Sequence, residues 1–279
     1  MTRRLPSPLA AAATVACAAL VAFTPLRSDA EPPMAFHAQG PEQDSAQRIP
    51  TLPDDSPPFG VGERYVYDVK FGPIKAGTGV IEVLGIDTVR GQRAYHTRFR
   101  VKGGTFFYKV DDVFESWFDV ESLASLRFIQ DFDHTGNKGD RNRRYEIFPE
   151  RAEYVEEGKE AKPSVNSPLD DGSFFYFIRT IPLEVGETYT FNRYFRPERN
   201  PVTIRVVRKE RISVPAGKFE TIVIQPIIKG NKVFSDDGRA EVWLTDDRSR
   251  IVVQMKTQLN FGSLNLYLKS ARPPNIPIE

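Results

Sequence analysis

From Phe59 onward, apolar and polar residues alternate with a period of two. Tyr65, Tyr67, Val69 and Phe71 alternate with Arg64, Asp68 and Lys70. Tyr95, Thr97, Phe99 and Val101 alternate with His96, Arg98, Arg100 and Lys102. The same rhythm runs through Val202, Ile204 and Val206, through Ile251, Val253 and Met255, and through Leu264, Leu266 and Leu268. Successive side chains of a strand point to opposite faces, so each run is a strand with one dry and one wetter face. Turn chemistry separates the runs at Gly72-Pro73, Val89-Arg90-Gly91-Gln92, Glu157-Gly158-Lys159 and Pro215-Ala216-Gly217-Lys218. The pattern predicts a mainly β fold: a curved antiparallel sheet or open barrel of about a dozen strands around one interior.

One segment breaks the period. After Pro168-Leu169-Asp170-Asp171-Gly172, the residues Phe174, Phe177, Ile178 and Ile181 fall at helical spacing, and Pro182 closes the run. This predicts one aromatic-rich helix over 173–181, packed on the sheet and capped by Asp170 or Asp171. Such a helix either fills the core or lines a cavity.

The N-terminus has a different composition. Met1-Thr2-Arg3-Arg4 is basic, Leu9 to Phe23 is apolar, and Ser28-Asp29-Ala30 places small residues where a signal peptidase cuts. The apolar stretch is short for a membrane span, so residues 1–30 are expected to be a secretory signal peptide and the protein periplasmic. The alternative is a lipid anchor on Cys17, which is the single cysteine of the chain. With the signal removed, the mature chain has no thiol and no disulfide, and its core alone must hold the fold. Residues 31–58 carry Pro32, Pro33, Pro41, Pro50, Pro53, Pro57 and Pro58 among polar residues and read as a disordered tether. Residues 273–279 read as a flexible tail, leaving 59–272 as a single β-rich domain. The formal charge of +1 falls to −1 when Arg3, Arg4, Arg27 and Asp29 leave with the signal. A near-neutral balance argues against nucleic acid as a partner.

Three stretches carry a family resemblance: Lys75-Ala76-Gly77-Thr78-Gly79, the aromatic helix after Pro168-Leu169-Asp170, and Val214 to Thr221 followed by Glu241 to Ile251. In this order they resemble the bacterial family called domain of unknown function 3108, over nearly all of 59–272. The resemblance implies a fold similar to the curved sheet and helix of the LolA/LolB-like lipoprotein carriers, which hold acyl chains in an apolar concavity. It brings no catalytic residues, because the family has no assigned activity.

Chemistry is sparse along the chain. His37, His96 and His134 share no ligand spacing, so neither metal nor cofactor is expected. Asp131-Phe132-Asp133-His134-Thr135-Gly136 copies the start of a calcium loop, but its twelfth position is Asn142 where a glutamate is needed. The acidic pairs, Asp111-Asp112, Asp170-Asp171, Asp236-Asp237 and Asp246-Asp247, read as turn and strand ends. Glu115 with Asp119 is a conceivable carboxylate pair whose spacing favours no hydrolysis, and no catalytic residue is expected. Arg193, Arg196 and Arg199, interleaved with aromatics, are candidates for an anion-binding surface. Arg141, Arg143 and Arg144 form a second such cluster.

For an apolar or lipid-like ligand the candidates are Tyr65, Tyr67, Phe99, Phe106, Tyr108 and Phe128, with Phe71 and Phe132 beside them. Phe174, Phe177 and Ile178 would cover them. Three functions stay open: a noncatalytic binding or carrier protein of the cell envelope, a module with a solid core that docks on another envelope protein, and an enzyme acting on an envelope glycan. The signal reading makes Glu31 the mature N-terminus. N-terminal sequencing of protein from the envelope fraction should return Glu31; a lipidated Cys17 would refute it.

Overall fold

The computed structural model describes residues 57–105, 108–135, 142–230, 234, 240–259 and 262–274. The expected signal peptide, the tether up to residue 56 and the last five residues of the tail lie outside the described residues. Fourteen strands are present: β1 (Arg64–Phe71), β2 (Ile74–Val89), β3 (Gln92–Thr105), β4 (Tyr108–Asp119), β5 (Ser125–His134), β6 (Arg143–Phe148), β7 (Glu153–Glu156), β8 (Ala161–Pro163), β9 (Thr188–Phe191), β10 (Val202–Val214), β11 (Gly217–Ile228), β12 (Ala240–Thr245), β13 (Val252–Leu259) and β14 (Gly262–Arg272). A short helix, α1 (Ser173–Phe177), and a 3-10 turn at Ile178–Thr180 lie between β8 and β9.

All strands form one antiparallel sheet in the spatial order β8-β7-β6-β5-β4-β3-β2-β1-β14-β13-β12-β11-β10-β9. Consecutive strands pair with each other, as short turns dictate, except β8 and β9, which stand at opposite ends of the order. At the centre the first strand pairs with the last: Arg64 lies opposite Arg272 and Phe71 opposite Leu264. The sheet is not closed. Its edges, β8 and β9, come from mid-chain, and the segments beside them meet through a parallel bridge between Leu169 and Tyr194. There the Leu169 amide donates to the Arg193 carbonyl at 2.5 Å, and the Phe195 amide donates to the Leu169 carbonyl at 2.9 Å.

The period-two pattern explains the core. Tyr65, Tyr67 and Val69 of β1, Phe114 and Phe118 of β4, Tyr145 and Ile147 of β6, Ile204 and Val206 of β10, and Leu264, Leu266 and Leu268 of β14 belong to one buried cluster. Strands from both ends of the order share that cluster, so the sheet is rolled around a single interior. A smaller cluster of Val89, Ala94, Trp117 and Leu126 forms separately.

The helix lies in this interior and carries rings on every face: Phe174, Tyr176 and Phe177 are buried, as is Ile178 just after it, while Phe175 is partly exposed. It is shorter than its spacing predicts. Ile181 is extended, at φ −87° and ψ 150°, because Pro182 bars the residue before it from helical geometry.

The Lys75-to-Gly79 signature also has a local reason. Gly77 of β2 lies opposite Gly103 of β3. A Cβ on Gly103 would stand 2.2 Å from the Ala76 carbonyl oxygen, and one on Gly77 would stand 2.5 Å from that of Lys102. The two backbones approach too closely for any side chain. Gly79 is different, since a Cβ there would meet its nearest atom, a carbon of the Phe99 ring, at an ordinary 3.5 Å. Gly103→Ala should therefore lower stability by about 1–3 kcal/mol, and Gly79→Ala should leave it unchanged or raise it. Urea midpoints of the two variants test this; equal midpoints would remove the close-approach explanation.

Candidate functional site

A hollow of about 60 Å³ lies beside the first turn of α1, facing β2, β3, β4, β11 and β13. Its walls are Ile81, Phe99, Phe114, Phe174, Phe175, Ile228, Phe234 and Met255, with Thr97, Arg98, Asp171, Gly172 and Tyr176 completing the lining. Flat rings set this shape. Phe99 stacks with Phe114 at 5.8 Å, Phe174 meets Phe234 at 5.8 Å, and Phe175 meets Phe234 at 6.1 Å. Rigid rings with two rotatable bonds fill space less adaptably than aliphatic chains, and here they leave room. Phe99, Arg98, Asp171, Gly172 and Phe175 are the partly exposed members of the lining.

Most polar side chains among the lining residues have hydrogen-bond partners. The Thr97 hydroxyl donates to the Ser116 carbonyl at 3.3 Å, Asp171 accepts from the Tyr194 hydroxyl at 2.7 Å, and Arg98 donates to Glu82 at 2.7 and 3.0 Å. Tyr176 is the exception. It is 3% exposed, its ring is wedged between Phe59 at 5.0 Å and Phe118 at 5.3 Å, and its hydroxyl has no hydrogen-bond partner among the described residues. Burial holds its pKa well above the ordinary 10, so the group stays a neutral phenol.

Two buried polar clusters hold the helix. At its start, Asp170 Oδ1 accepts from the amides of Gly172 at 2.7 Å and Ser173 at 2.9 Å, and Oδ2 accepts from the Ser116 hydroxyl at 2.7 Å. The Asp170 amide donates to the hydroxyls of Ser125 and Ser173, both at 2.9 Å. Of the two aspartates expected to cap the helix, Asp170 serves its amides, while Asp171 binds Tyr194. Gly172 allows the close fit, since a Cβ there would lie 2.8 Å from that of Ser116. At the other end, Arg179 forms a buried pair with Glu63: Nη1 donates to Oε1 at 2.8 Å and Nη2 to Oε2 at 3.2 Å. Its remaining donors reach the carbonyls of Pro58 at 2.6 Å and Ser249 at 3.0 Å, and Tyr65 donates its hydroxyl to Glu63 at 3.1 Å. Burial alone would lower the Arg179 pKa, but the Glu63 carboxylate outweighs it and the guanidinium is held above its ordinary value.

The sequence candidates are distributed over this frame. Phe99 and Phe174 line the hollow. Tyr65, Tyr67, Phe128, Phe177 and Ile178 are buried in the packed core away from it, with Phe177 against Phe191 at 4.9 Å. Phe106 and the side chain of Tyr108 lie outside the described residues. The arginines of the expected anionic surface serve the region where the sheet edges meet. Arg193 donates to the carbonyls of Ser167 and Ser122 and sits over the Phe177 ring at 4.7 Å. Arg196 donates to the Tyr145 hydroxyl and lies over Phe195 at 5.1 Å. Arg199 is itself buried and donates to the Tyr194 hydroxyl at 3.0 Å.

Sequence reasoning missed Phe114, Phe175, Tyr176, Phe234 and Met255. For Phe175 and Tyr176 a signal existed: Phe174-Phe175-Tyr176-Phe177 puts rings on every face of a helical turn, so more than one stripe had to find partners.

The polar residues considered for chemistry have ordinary surroundings. His96 stacks on Trp117 at 4.1 Å and lies between Asp87 and Glu115. The hydrogen bond with His96 holds the Glu115 carboxyl below the usual range. His134 ends β5 and is buried 2.6 Å from Asp112. Asp119 and Asp247 bind amides of their own turns, as Asp-rich turns do. Among the described residues, no three His, Cys, Asp or Glu side chains are grouped to hold a metal ion.

A sheet of fourteen strands rolled round an internal helix defines a β-barrel-like protein. The family model described as "Protein of unknown function (DUF3108)" matches residues 66–269, and the chain belongs to that family. No curated protein matches the sequence. Among solved structures, the chain is similar to a β-barrel-like protein of domain of unknown function DUF1849 from Brucella abortus, at 12% identity and a TM-score of 0.51, covering 78% of this chain and 99% of that one. At that identity the likeness is one of fold. A protein from Bacteroides fragilis with a YmcC-like fold is similar at 10% identity and a TM-score of 0.33, covering 77% of this chain and 97% of that one.

Asp170 gives the fold a pH dependence. Burial pushes its carboxyl up to about 6, whereas an unfolded aspartate titrates near ~3.9. The folded chain therefore binds this proton more tightly than the unfolded chain. The stabilisation is complete below about pH 4 and is lost as pH rises through about 6. Relative to Asp170→Asn, the wild type should lose stability between pH 4.5 and 7 when urea midpoints are compared. A difference constant across that range would refute the assignment.

Proposed function

We propose that the protein is a noncatalytic, exported envelope protein that takes the narrow end of an apolar molecule into the hollow beside α1. The observation that carries this reading is the hollow itself, walled by five phenylalanines with Ile81, Ile228 and Met255. Apolar pockets with a few polar groups are the usual form of small-molecule sites. At about 60 Å³ the hollow is less than half of the ~150 Å³ that admits benzene in an engineered cavity. It suits the end of an alkyl chain, not a whole lipid. Export is supported by the layout of residues 1–30. No helix among the described residues is long and apolar enough to cross a membrane.

A docking module with a solid core is favoured by a different observation: Tyr67, Phe118, Phe128 and Ile178 are fully buried, and most of the interior is packed. The two readings part at the hollow. Titration of the folded protein with dodecanoate, followed by methyl NMR, should shift Met255, Ile81 and Ile228. Ile228→Phe, which fills the space, should abolish the shifts. Phe177→Ala should cost about 3–5 kcal/mol of stability while leaving binding in place. No shift at any lining methyl would favour the docking module.

A further inference from the structure

β2 outruns its neighbour β1. Their pairing ends at Arg64 opposite Glu82, and the chain before β1 bonds only as far as Val83, through the amide of Gly62 and the carbonyl of Glu63. Beyond that point β2 pairs with β3 alone, from Gly85 opposite His96 to Val89 opposite Gln92. The other side of residues 84–89 has no backbone partner among the described residues. This stretch carries two exposed apolar side chains, Leu84 at 38% and Ile86 at 40% exposure. Its one acidic residue, Asp87, does not guard the edge, because its carboxylate accepts from the Trp117 indole at 2.9 Å and lies 3.1 Å from His96. An open apolar edge is a template for wrong pairing, and folded proteins cover it.

The last strand runs toward this edge. Arg64 lies opposite both Glu82 and Arg272, so β14 runs parallel to β2 with Arg272 level with Glu82. Past that point the Arg272 guanidinium donates to the Gly62 carbonyl at 3.0 Å, and Pro274 lies 3.1 Å from where Gly60 would carry a Cβ. The chain before Gly60 turns inward, taking Phe59 to Tyr95 and Pro58 to Arg179, so it does not run beside residues 84–89. We propose that residues 275–279, Asn-Ile-Pro-Ile-Glu, add to the open edge of β2 as a short parallel strand. Five extended residues span up to ~17 Å, against the ~4.8 Å between neighbouring strand positions. Counting on from the Arg272–Glu82 level brings Ile276 beside Ile86, which lies opposite Tyr95 on the face that Phe59 covers. With the backbone groups of Ile276 and Ile278 turned to β2, Pro277 turns its missing amide away, the arrangement in which an edge strand tolerates proline.

NMR of the full-length folded protein tests the pairing. The Ile276 and Ile86 methyls should show a nuclear Overhauser contact within one molecule. Ile276→Asp should remove it and make amides within residues 84–88 exchange with solvent at least about tenfold faster, the effect of losing one or two hydrogen bonds. Amides of β1 should keep their wild-type rates in the variant, which shows that the sheet is retained, and Ile276→Val should keep both the contact and the protection. No contact in the wild type, or edge amides that exchange equally in wild type and Ile276→Asp, would overturn the proposal. A contact seen only between differently labelled copies would give the edge to a second molecule and overturn it as well.

Discussion

The ion pair between Glu63 and Arg179 is the constraint on which the interior depends. Two charges inside a rolled sheet are costly to desolvate, and leaving one without the other costs roughly 3–5 kcal/mol. The structure meets that cost with geometry. Both terminal guanidinium nitrogens meet the carboxylate, carbonyls from Pro58 and Ser249 take the other donors, and Tyr65 adds a hydroxyl. The rings of Phe59, Tyr65 and Tyr176 lie 5.4 to 5.9 Å from the guanidinium carbon. The pair thereby joins the lead-in to β1, the end of the helix and the turn before β13. These parts are far apart in sequence and can be satisfied together only in this one arrangement.

With Arg179 at one end and Asp170 at the other, the helix is held at two points. Between them its side chains are free to be aromatic, and the four consecutive rings do different work. Phe174 and Phe175 wall the hollow, Tyr176 wedges its ring between Phe59 and Phe118, and Phe177 packs against Phe191. A helix fixed this firmly cannot slide to close the gap beside its first turn. The hollow is a consequence of anchoring as much as of ring shape.

The β fold was legible because alternation is a local signal. Tyr65, Tyr67 and Val69 show their inward phase within five residues, and turns such as Arg90-Gly91, both at positive φ, show where strands reverse. The central pairing of β1 with β14 was not legible, since no local pattern says which distant strand a given edge will meet. The site was legible in part for the same reason. Phe99 and Phe174 were found by their phase, whereas Phe114, Phe234 and Met255 come from strands and a loop that tertiary packing alone brings together. The arginines between 193 and 199 looked like a surface because charge suggests solvent. Their planar heads instead lie over rings and reach backbone carbonyls where the sheet edges approach.

The pairing of the first strand with the last also bears on how the chain is made. Synthesis runs from the N-terminus, so β1 can pair at once with β2, but its other edge must wait for β14. Until nearly the whole domain exists, a row of unpaired backbone groups along Arg64–Phe71 faces outward. Such an edge is the usual template for wrong pairing with another chain. The growing molecule is therefore most vulnerable at what later becomes the middle of its sheet, and it needs shielding for most of its synthesis.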